Sequence, residues 1–540
     1  MERIIYYNGT ILTIDDKSSI FEALLIEDGI IKELGSSNEI LKLKDSNTDL
    51  VDLKGNTIMP SFIDSHSHIT SYAQTLRLVN LYNCTSFEDI FNTLKNFIDK
   101  NNLKEDEWIT GFNYDHERLR EKEHPTKLLL DKLSKTNPII LSHISGHMGV
   151  INSIGLNLFN ITKDSINPDG GEIIKFKDSN EPTGLLKENA FIQNTFKIPV
   201  PSVSDLSDLL VKAQEDYLKF GITTCQDGFT RKEEFEILDY SSKNKKLKMD
   251  IVSFIDIKNN KKIYDENKET YVKGYINNFR IGGYKMFLDG SPQGRTAWML
   301  TPYKDINNPD KNSEEFGIGT LTDEEVSNFI EQALNDNAQI LSHCNGDAAA
   351  KQLIYSFKKV LNERNESFTS TLPVMVHAQL VRDSQLKDMK EIGMIPSFFT
   401  AHSYFWGDIH IKNFGLERAS KISPAKSALN IDLTFTFHQD TPVLMPDMFR
   451  TIWCSVNRIT LNGVTIGEDE KISVLDSIKA VTINAAKQYF EDDKKGSLEK
   501  GKFADMIIID KNPFEINPID LYKIKILETI KSGEVLYKAD

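Results

Sequence analysis

Phe62-Ile63-Asp64-Ser65-His66-Ser67-His68 decides how this chain is read. Its apolar opening predicts a short buried strand, and its end carries two imidazoles two residues apart. Side chains two apart on a strand face one side, so His66 and His68 can hold one ion while Ser67 points away. Four more strand-like segments end in a similar way: Gly283-Tyr284-Lys285, Ile340-Leu341-Ser342-His343, Val374-Met375-Val376-His377 and Phe435-Thr436-Phe437-His438-Gln439-Asp440. Borderline metals such as zinc take imidazole and carboxylate ligands, and a catalytic site leaves a position open to water. The pattern predicts a metal site assembled from strand ends.

Outward from these segments, strand alternates with helix. Thr322 with Glu325 three residues on forms a capping box, and Val326, Phe329, Ile330, Ala333 and Leu334 make an apolar stripe at helical spacing. Further helices are predicted over 347–362 and 383–391, each followed by a strand. Eight strands are predicted in this region, over 57–63, 222–225, 250–255, 280–287, 338–342, 373–376, 394–399 and 433–437. That is the signature of an α/β fold of the (β/α)8 TIM-barrel type, whose active sites sit at the carboxyl ends of the strands. The ligand candidates fall at the ends of strands one, four, five, six and eight. Some 150 residues separate the first strand from the second, so residues 72–200 read as an insertion that covers or shapes the barrel mouth.

Both ends of the chain have another character. Short apolar runs over 4–7, 10–14, 23–26 and 30–34 are punctuated by Asn8-Gly9 and Asp28-Gly29, which are hairpin signals. Strands over 504–510, 526–530 and 533–537 close the sequence. The reading is a composite β-sandwich from residues 1–56 and 491–540, around the barrel over 57–490.

Composition narrows the partners. The chain has 540 residues, 40% of them hydrophobic, and a formal net charge of -15, with a sequence pI near 5.4. No basic footprint for nucleic acid is present. The opening Met1-Glu2-Arg3-Ile4-Ile5-Tyr6-Tyr7-Asn8 has no apolar run of signal-peptide length, and no run of about 18 apolar residues occurs anywhere. A soluble cytoplasmic protein without membrane partners is expected. Cys84, Cys225, Cys344 and Cys454 form no CxxC pair, which suits a reducing compartment and excludes a thiolate zinc site built on that motif.

The segments resemble the amidohydrolase superfamily, specifically amidohydrolase family 3, which includes N-substituted formamide deformylases. The resemblance rests on Met59-Pro60 through His68, Gly146-His147 with Asn152-Ser153, Gly221 through Asp227, and Lys285-Met286-Phe287-Leu288-Asp289-Gly290-Ser291 with Arg295-Thr296-Ala297. It continues through His343-Cys344-Asn345-Gly346-Asp347, His377-Ala378-Gln379, Asp440-Thr441-Pro442-Val443, Thr482-Ile483-Asn484-Ala485-Ala486, and Gly496 through Asp505. It implies that His66 and His68 bind a first metal, that His343 and His377 bind a second, and that Lys285 bridges them as a carbamate. Asp440 would be both ligand and general acid/base. On residue chemistry alone Lys285 reads as an ion-paired lysine, with Asp289 its candidate partner, because an ammonium cannot bind a cation. His438-Gln439 departs from the family, many members of which carry a Gly-Ser-like pair before the aspartate.

The implied cofactor is zinc, two ions per chain, and the implied partner is a small-molecule amide, with a homodimer as the expected assembly. For substrate contacts, each candidate has a bland alternative: Arg295 binds an anionic group or pairs structurally, and His147 reaches substrate or caps a loop. His402 and Trp406, following the seventh strand, contact substrate or pack. Two other functions stay open on the same scaffold, a one-metal deaminase-like hydrolase and a catalytically silent ligand-binding or regulatory protein.

Overall fold

The computed structural model describes residues 3–101, 103–199, 201–305 and 308–540. They divide into two compact units, one of residues 1–70 with 211–540 and one of residues 71–210.

In the first unit, eight strands form one all-parallel sheet. In chain order they are β1 (Phe62–Ile63), β2 (Ile222–Thr230), β3 (Asp250–Asp256), β4 (Phe279–Phe287), β5 (Gln339–Cys344), β6 (Val374–His377), β7 (Ile395–Phe398) and β8 (Thr436–Phe437). Each pairs with its sequence neighbour. The ends of the series are tied across β1 and β8, where Ser65 Oγ donates to Phe437 O at 2.9 Å and His68 N donates to Thr441 O at 2.8 Å. The sheet thus curls into a TIM-like barrel. Parallel strands need crossovers, and helices Lys232–Lys243, Asp323–Asn335, Asp347–Glu363 and Asp383–Ile392 supply them. Thr322 caps the helix Asp323–Asn335 with the capping box read from sequence, and Val326, Ile330 and Ala333 are buried. Ile63, Val252, Phe254, Leu341, Val374, Val376 and Ile395 meet Ala485, Ala486 and Tyr489 in one apolar cluster.

Two further sheets come from the ends of the chain. Ile30–Gly35, Ala23–Glu27, Arg3–Tyr7 and Thr48–Asp52 form one. Glu534–Lys538, Ile526–Lys531, Met506–Ile509, Thr57–Pro60, Thr10–Leu12 and Ile20–Phe21 form the other. They share a core that includes Tyr6, Ile11, Leu24, Ile26, Ile58, Met506 and Ile530.

Two sequence expectations are corrected here. The run 57–63 is not one barrel strand: Thr57–Pro60 pairs with Met506–Ile509 and with Thr10–Ile11, and only Phe62–Ile63 enters the barrel. The continuous burial hides a change of partner at Ser61, which gives its amide to Asp505 O. Asp28-Gly29 does close a hairpin, with both residues in the left-handed region (φ 47° and 79°), as a type I′ turn requires. Asn8-Gly9 does not. Only Asn8 takes positive φ, and the chain passes there from one terminal sheet to the other.

Residues 71–210 carry a six-stranded sheet of their own, in the order Gly171–Lys175, Pro182–Glu188, Met148–Ile151, Ile139–His143, Ile109–Tyr114 and Leu78–Asn80. The segment predicted as an insertion is therefore a β-rich unit with its own core around Leu81, Ile90, Leu94, Ile109, Tyr114 and Leu141.

Candidate metal centre

Parallel strands deliver their carboxyl ends to one rim, so residues distant in sequence converge there. His66, His377 and Asp440 each offer a ligand atom within 4.8 Å of the others. Asp440 Oδ1 lies 3.4 Å from His66 Nε2 and 3.4 Å from His68 Nε2, and Asp440 Oδ2 lies 3.9 Å from His377 Nε2. Lys285 Nζ is 3.3 Å from His66 Nε2. His343 comes close as a ring, with centroids 4.6 Å from His377, but its nitrogens face elsewhere. Its Nδ1 is 3.3 Å from Asp289 Oδ1 and its Nε2 is 3.4 Å from Asn345 Nδ2.

Which nitrogen each imidazole presents follows from carbonyls that can only accept. Gln226 gives its Nε2–H to Ser65 O, so its Oε1 faces His66 Nδ1 at 2.9 Å. His66 Nδ1 must then carry the proton, and Nε2 carries the lone pair. A longer relay fixes His377. Ser65 Oγ donates to Phe437 O, so in the Ser65–Ser397 contact of 3.1 Å it is Ser397 that donates. Ser397 Oγ therefore accepts from His438 Nδ1 at 2.9 Å, leaving His438 Nε2 to accept from His377 Nδ1 at 3.0 Å. Burial holds His438 down at about 3, so it is neutral and the order of donors is unique. His377 Nε2 is thus also a lone pair aimed at Asp440.

This arrangement fits a cation. Two lone-pair nitrogens converge on a carboxylate whose buried Oδ1 has no hydrogen-bond partner among the described residues. Without a positive charge between them these atoms repel. Burial, with Lys285 nearby, keeps the His66 imidazole well below the ordinary histidine range; burial and the neighbouring His343 do the same for His377. Both rings are therefore neutral, the form that ligates. Burial pushes the Asp440 carboxyl up, but His68, His438 and Lys285 outweigh it and hold Asp440 below its ordinary range. His377 (φ 73°) and Asp440 (φ 55°) both adopt left-handed backbone, rare for residues other than glycine, at the ends of their strands.

Lys285 is fully buried and, among the described residues, makes no ion pair. The Asp289 partnership offered by sequence is not formed. Asp289 instead accepts the amides of Asn345, Gly346 and Trp298. Burial brings the Lys285 ammonium down to about 7, with Asp440 pulling the other way. An amine that is substantially neutral near pH 7 is the nucleophile needed to take up carbon dioxide.

The other predicted contacts are placed as follows. Arg295 donates to Glu315 Oε2, Asn413 Oδ1, Lys304 O and Ser313 Oγ, and its guanidinium covers the Tyr303 ring. That placement favours structural pairing over the substrate contact expected of it. His402 is buried, with Nδ1 3.0 Å from His410 Nε2 and its ring 4.6 Å from Trp406 and 4.5 Å from Phe399. Trp406 also reaches Phe399, which stacks on His377, so this aromatic group adjoins the centre. His147 lies in the 71–210 unit, exposed, with Nδ1 3.0 Å from Glu188 Oε2.

Three residues near the centre, Gln226, His438 and Asp227, were not assigned a role from sequence, and Asp289 has a different one from that offered. Gln226 and His438 orient ligand candidates, Asp289 abuts His343, and Asp227 accepts Thr70 and Thr230 hydroxyls to fix the turn after His68. Each sits in a quoted motif at a strand end, which was the available signal. Gly228 is required beside them: a Cβ there would fall 2.5 Å from His66 Cε1 and 2.9 Å from Ser67 O.

The sequence profile of the Amidohydrolase family (Amidohydro_3) matches residues 49–537. The chain is 27% identical to Protein LONG AFTER FAR-RED 3 of Arabidopsis thaliana, covering 98% of this chain and 91% of that protein. It is 23% identical to N-substituted formamide deformylase of Arthrobacter pascens, covering 100% and 99%. The crystal structure of an uncharacterized metal-dependent hydrolase from Pyrococcus furiosus superposes with a TM-score of 0.72 at 25% identity, over 95% of this chain and 100% of that one. With a family match over nearly the full length and a TIM-like barrel together with the two terminal sheets, the chain belongs to the amidohydrolase family.

Proposed function

We propose that the centre hydrolyses a non-peptide carbon-nitrogen bond of a small amide, with an N-substituted formamide as the leading substrate class. The observation that carries this is the pair of tautomer-fixed Nε2 lone pairs, on His66 and His377, facing the ionised Asp440, whose Oδ1 has no hydrogen-bond partner among the described residues. His66, His68, His377 and Asp440 would hold zinc, with Lys285 bridging to a second ion beside His343 once carboxylated. A divalent metal held there supplies Lewis acidity that brings the pKa of water towards neutrality.

The chain's own groups supply the proton transfers. Asp440 takes a proton from the attacking water as its oxygen bonds to the amide carbon, then returns it to the nitrogen as the carbon-nitrogen bond breaks. The products are a carboxylic acid, formic acid for a formamide, and an amine. Lys285, as free amine, adds to carbon dioxide and loses one proton to give an anionic carbamate. The 23% identity to a formamide deformylase over the whole chain supports the substrate class.

A one-metal version is favoured by a separate observation: the tight group contains His66, His377 and Asp440 but not His343, whose nitrogens face Asp289 and Asn345. Screening the purified protein against N-substituted formamides, other amides, ureas and deaminase substrates tests the assignment. Amide turnover lost on chelation and in Asp440→Asn supports it; undiminished turnover in Asp440→Asn removes the assigned base.

A further inference from the structure

A second convergence of ligand atoms lies wholly within the 71–210 unit. Strands Ile109–Tyr114 and Ile139–His143 run parallel, with Tyr114 opposite His143. Asp115 and His116 leave the first strand where His143 ends the second, so three ligand-bearing residues share one end of the sheet. His116 Nδ1 is 3.1 Å from His143 Nε2, and Asp115 Oδ1 is 3.7 Å from that same nitrogen. All three ligand atoms lie within 4.8 Å of one another. Ligands on a tetrahedral zinc, bonded at about 2.0–2.1 Å, stand roughly 3.3 Å apart, so the present separations need little adjustment.

The outer faces of both rings are supported. His116 turns Nε2 towards Glu117 Oε1 at 3.4 Å, a neighbour that a proton on Nε2 suits and that leaves the lone pair on Nδ1. His143 Nδ1 is 2.9 Å from Ser145 Oγ, which can accept its proton and leave the Nε2 lone pair facing inward. Carboxylate or hydroxyl partners on the far nitrogen are what orient ligating histidines. The Ser145 amide also reaches Nδ1, at 3.1 Å, so the metal-free protein can hold the other tautomer, with Nε2–H given to His116. His124 stacks on His116 with centroids 3.9 Å apart and is held by Tyr114 OH at 3.1 Å, walling one side. Asp115 and His116 are each about a quarter exposed, which leaves an entry path.

We propose that Asp115, His116 and His143 form a divalent transition-metal site, of the two-histidine, one-carboxylate type, built wholly from residues of the 71–210 unit. The donor set suits zinc, cobalt(II), nickel or iron(II) rather than calcium or magnesium, which prefer all-oxygen shells. Nothing in this assignment depends on the reaction proposed for the barrel.

Cobalt(II) is the probe, because its visible absorption reports bound metal without any assay of turnover. In the full chain carrying His66→Ala and His377→Ala, titration should still give about one tightly bound cobalt per chain. Adding His116→Ala or Asp115→Asn should weaken that binding by at least tenfold. As a second route, metal content of otherwise unaltered protein should fall by about one ion per chain in His116→Ala. The proposal is overturned if the barrel variant, folded by circular dichroism, binds no cobalt, or if His116→Ala and Asp115→Asn bind metal as the parent does.

Discussion

Replacing His438 by leucine should loosen metal at the barrel centre although His438 is not itself a ligand. In the parent, the acceptor Phe437 O starts a hydrogen-bond chain through Ser65, Ser397 and His438 that ends by fixing the proton on His377 Nδ1. Leucine breaks the chain at its last link. His377 is buried, and its Nδ1–H loses its acceptor, a cost of about 1–3 kcal/mol for an unsatisfied buried group. The ring can escape by moving its proton to Nε2, but that removes the lone pair aimed at Asp440. Either way metal affinity falls. Loss of such a partner typically costs about 10–100-fold, or roughly 1.4–2.7 kcal/mol, which agrees with the hydrogen-bond figure. Competition for zinc against a chelator of known affinity measures it. His438→Gln, which can return an acceptor oxygen to His377, should recover part of the loss. The reasoning is refuted if His438→Leu, with its fold intact, holds metal as tightly as the parent.

Three other expectations are independent of that relay. Gly228→Ala places a Cβ 2.5 Å from His66 Cε1 and should cost about 1–3 kcal/mol as overpacking; chelator competition should show weaker metal binding, and unchanged affinity would mean His66 has room to move. Lys285→Ala should bind less metal than the parent and no longer respond to added bicarbonate during reconstitution; retention of both full metal content and full turnover would remove the carbamate. Asp250 is buried against Lys495 and Lys531, whose charges outweigh burial and hold its pKa below the ordinary 3.8. A carboxylate lowered on folding contributes stability that is present above about pH 4 and lost as pH falls through the folded pKa. Asp250→Asn should therefore cost about 3 kcal/mol in urea unfolding at pH 7, and less at pH 3. A cost that does not change with pH would contradict the ion-pair account.

Much of this was legible because the informative residues obey short-range rules. The capping box at Thr322 and Glu325 marked the start of a crossover helix to the residue, and His66 and His68 do meet at Asp440 Oδ1, although the strand itself ends at Ile63 and does not set their spacing. Where the sequence misled, the cause was tertiary. Residues 57–63 are mostly apolar and buried throughout because both of their sheets cover them, so nothing local announced that Thr57–Pro60 pairs with Met506–Ile509. The two readings of Arg295 could not be separated in sequence because Glu315 and Asn413, which engage it, lie 20 and 118 residues away. Gln226 and His438 were visible in the sequence, but their roles depend on which neighbour can only accept a hydrogen bond, and that is a three-dimensional fact. The cluster at Asp115, His116 and His143 escaped for the same reason: its strands are adjacent in space, and 27 residues separate its histidines.

The account stands most directly on whether the strand-end residues bind metal. Inductively coupled plasma mass spectrometry on purified parent and on the His66→Ala, His377→Ala double variant, both shown to be folded, gives the difference in metal per chain. A second site elsewhere contributes equally to both and cancels. A drop of about two ions is predicted for the bridged centre and about one for the single-metal version, whereas equal metal content in the two proteins would contradict the account.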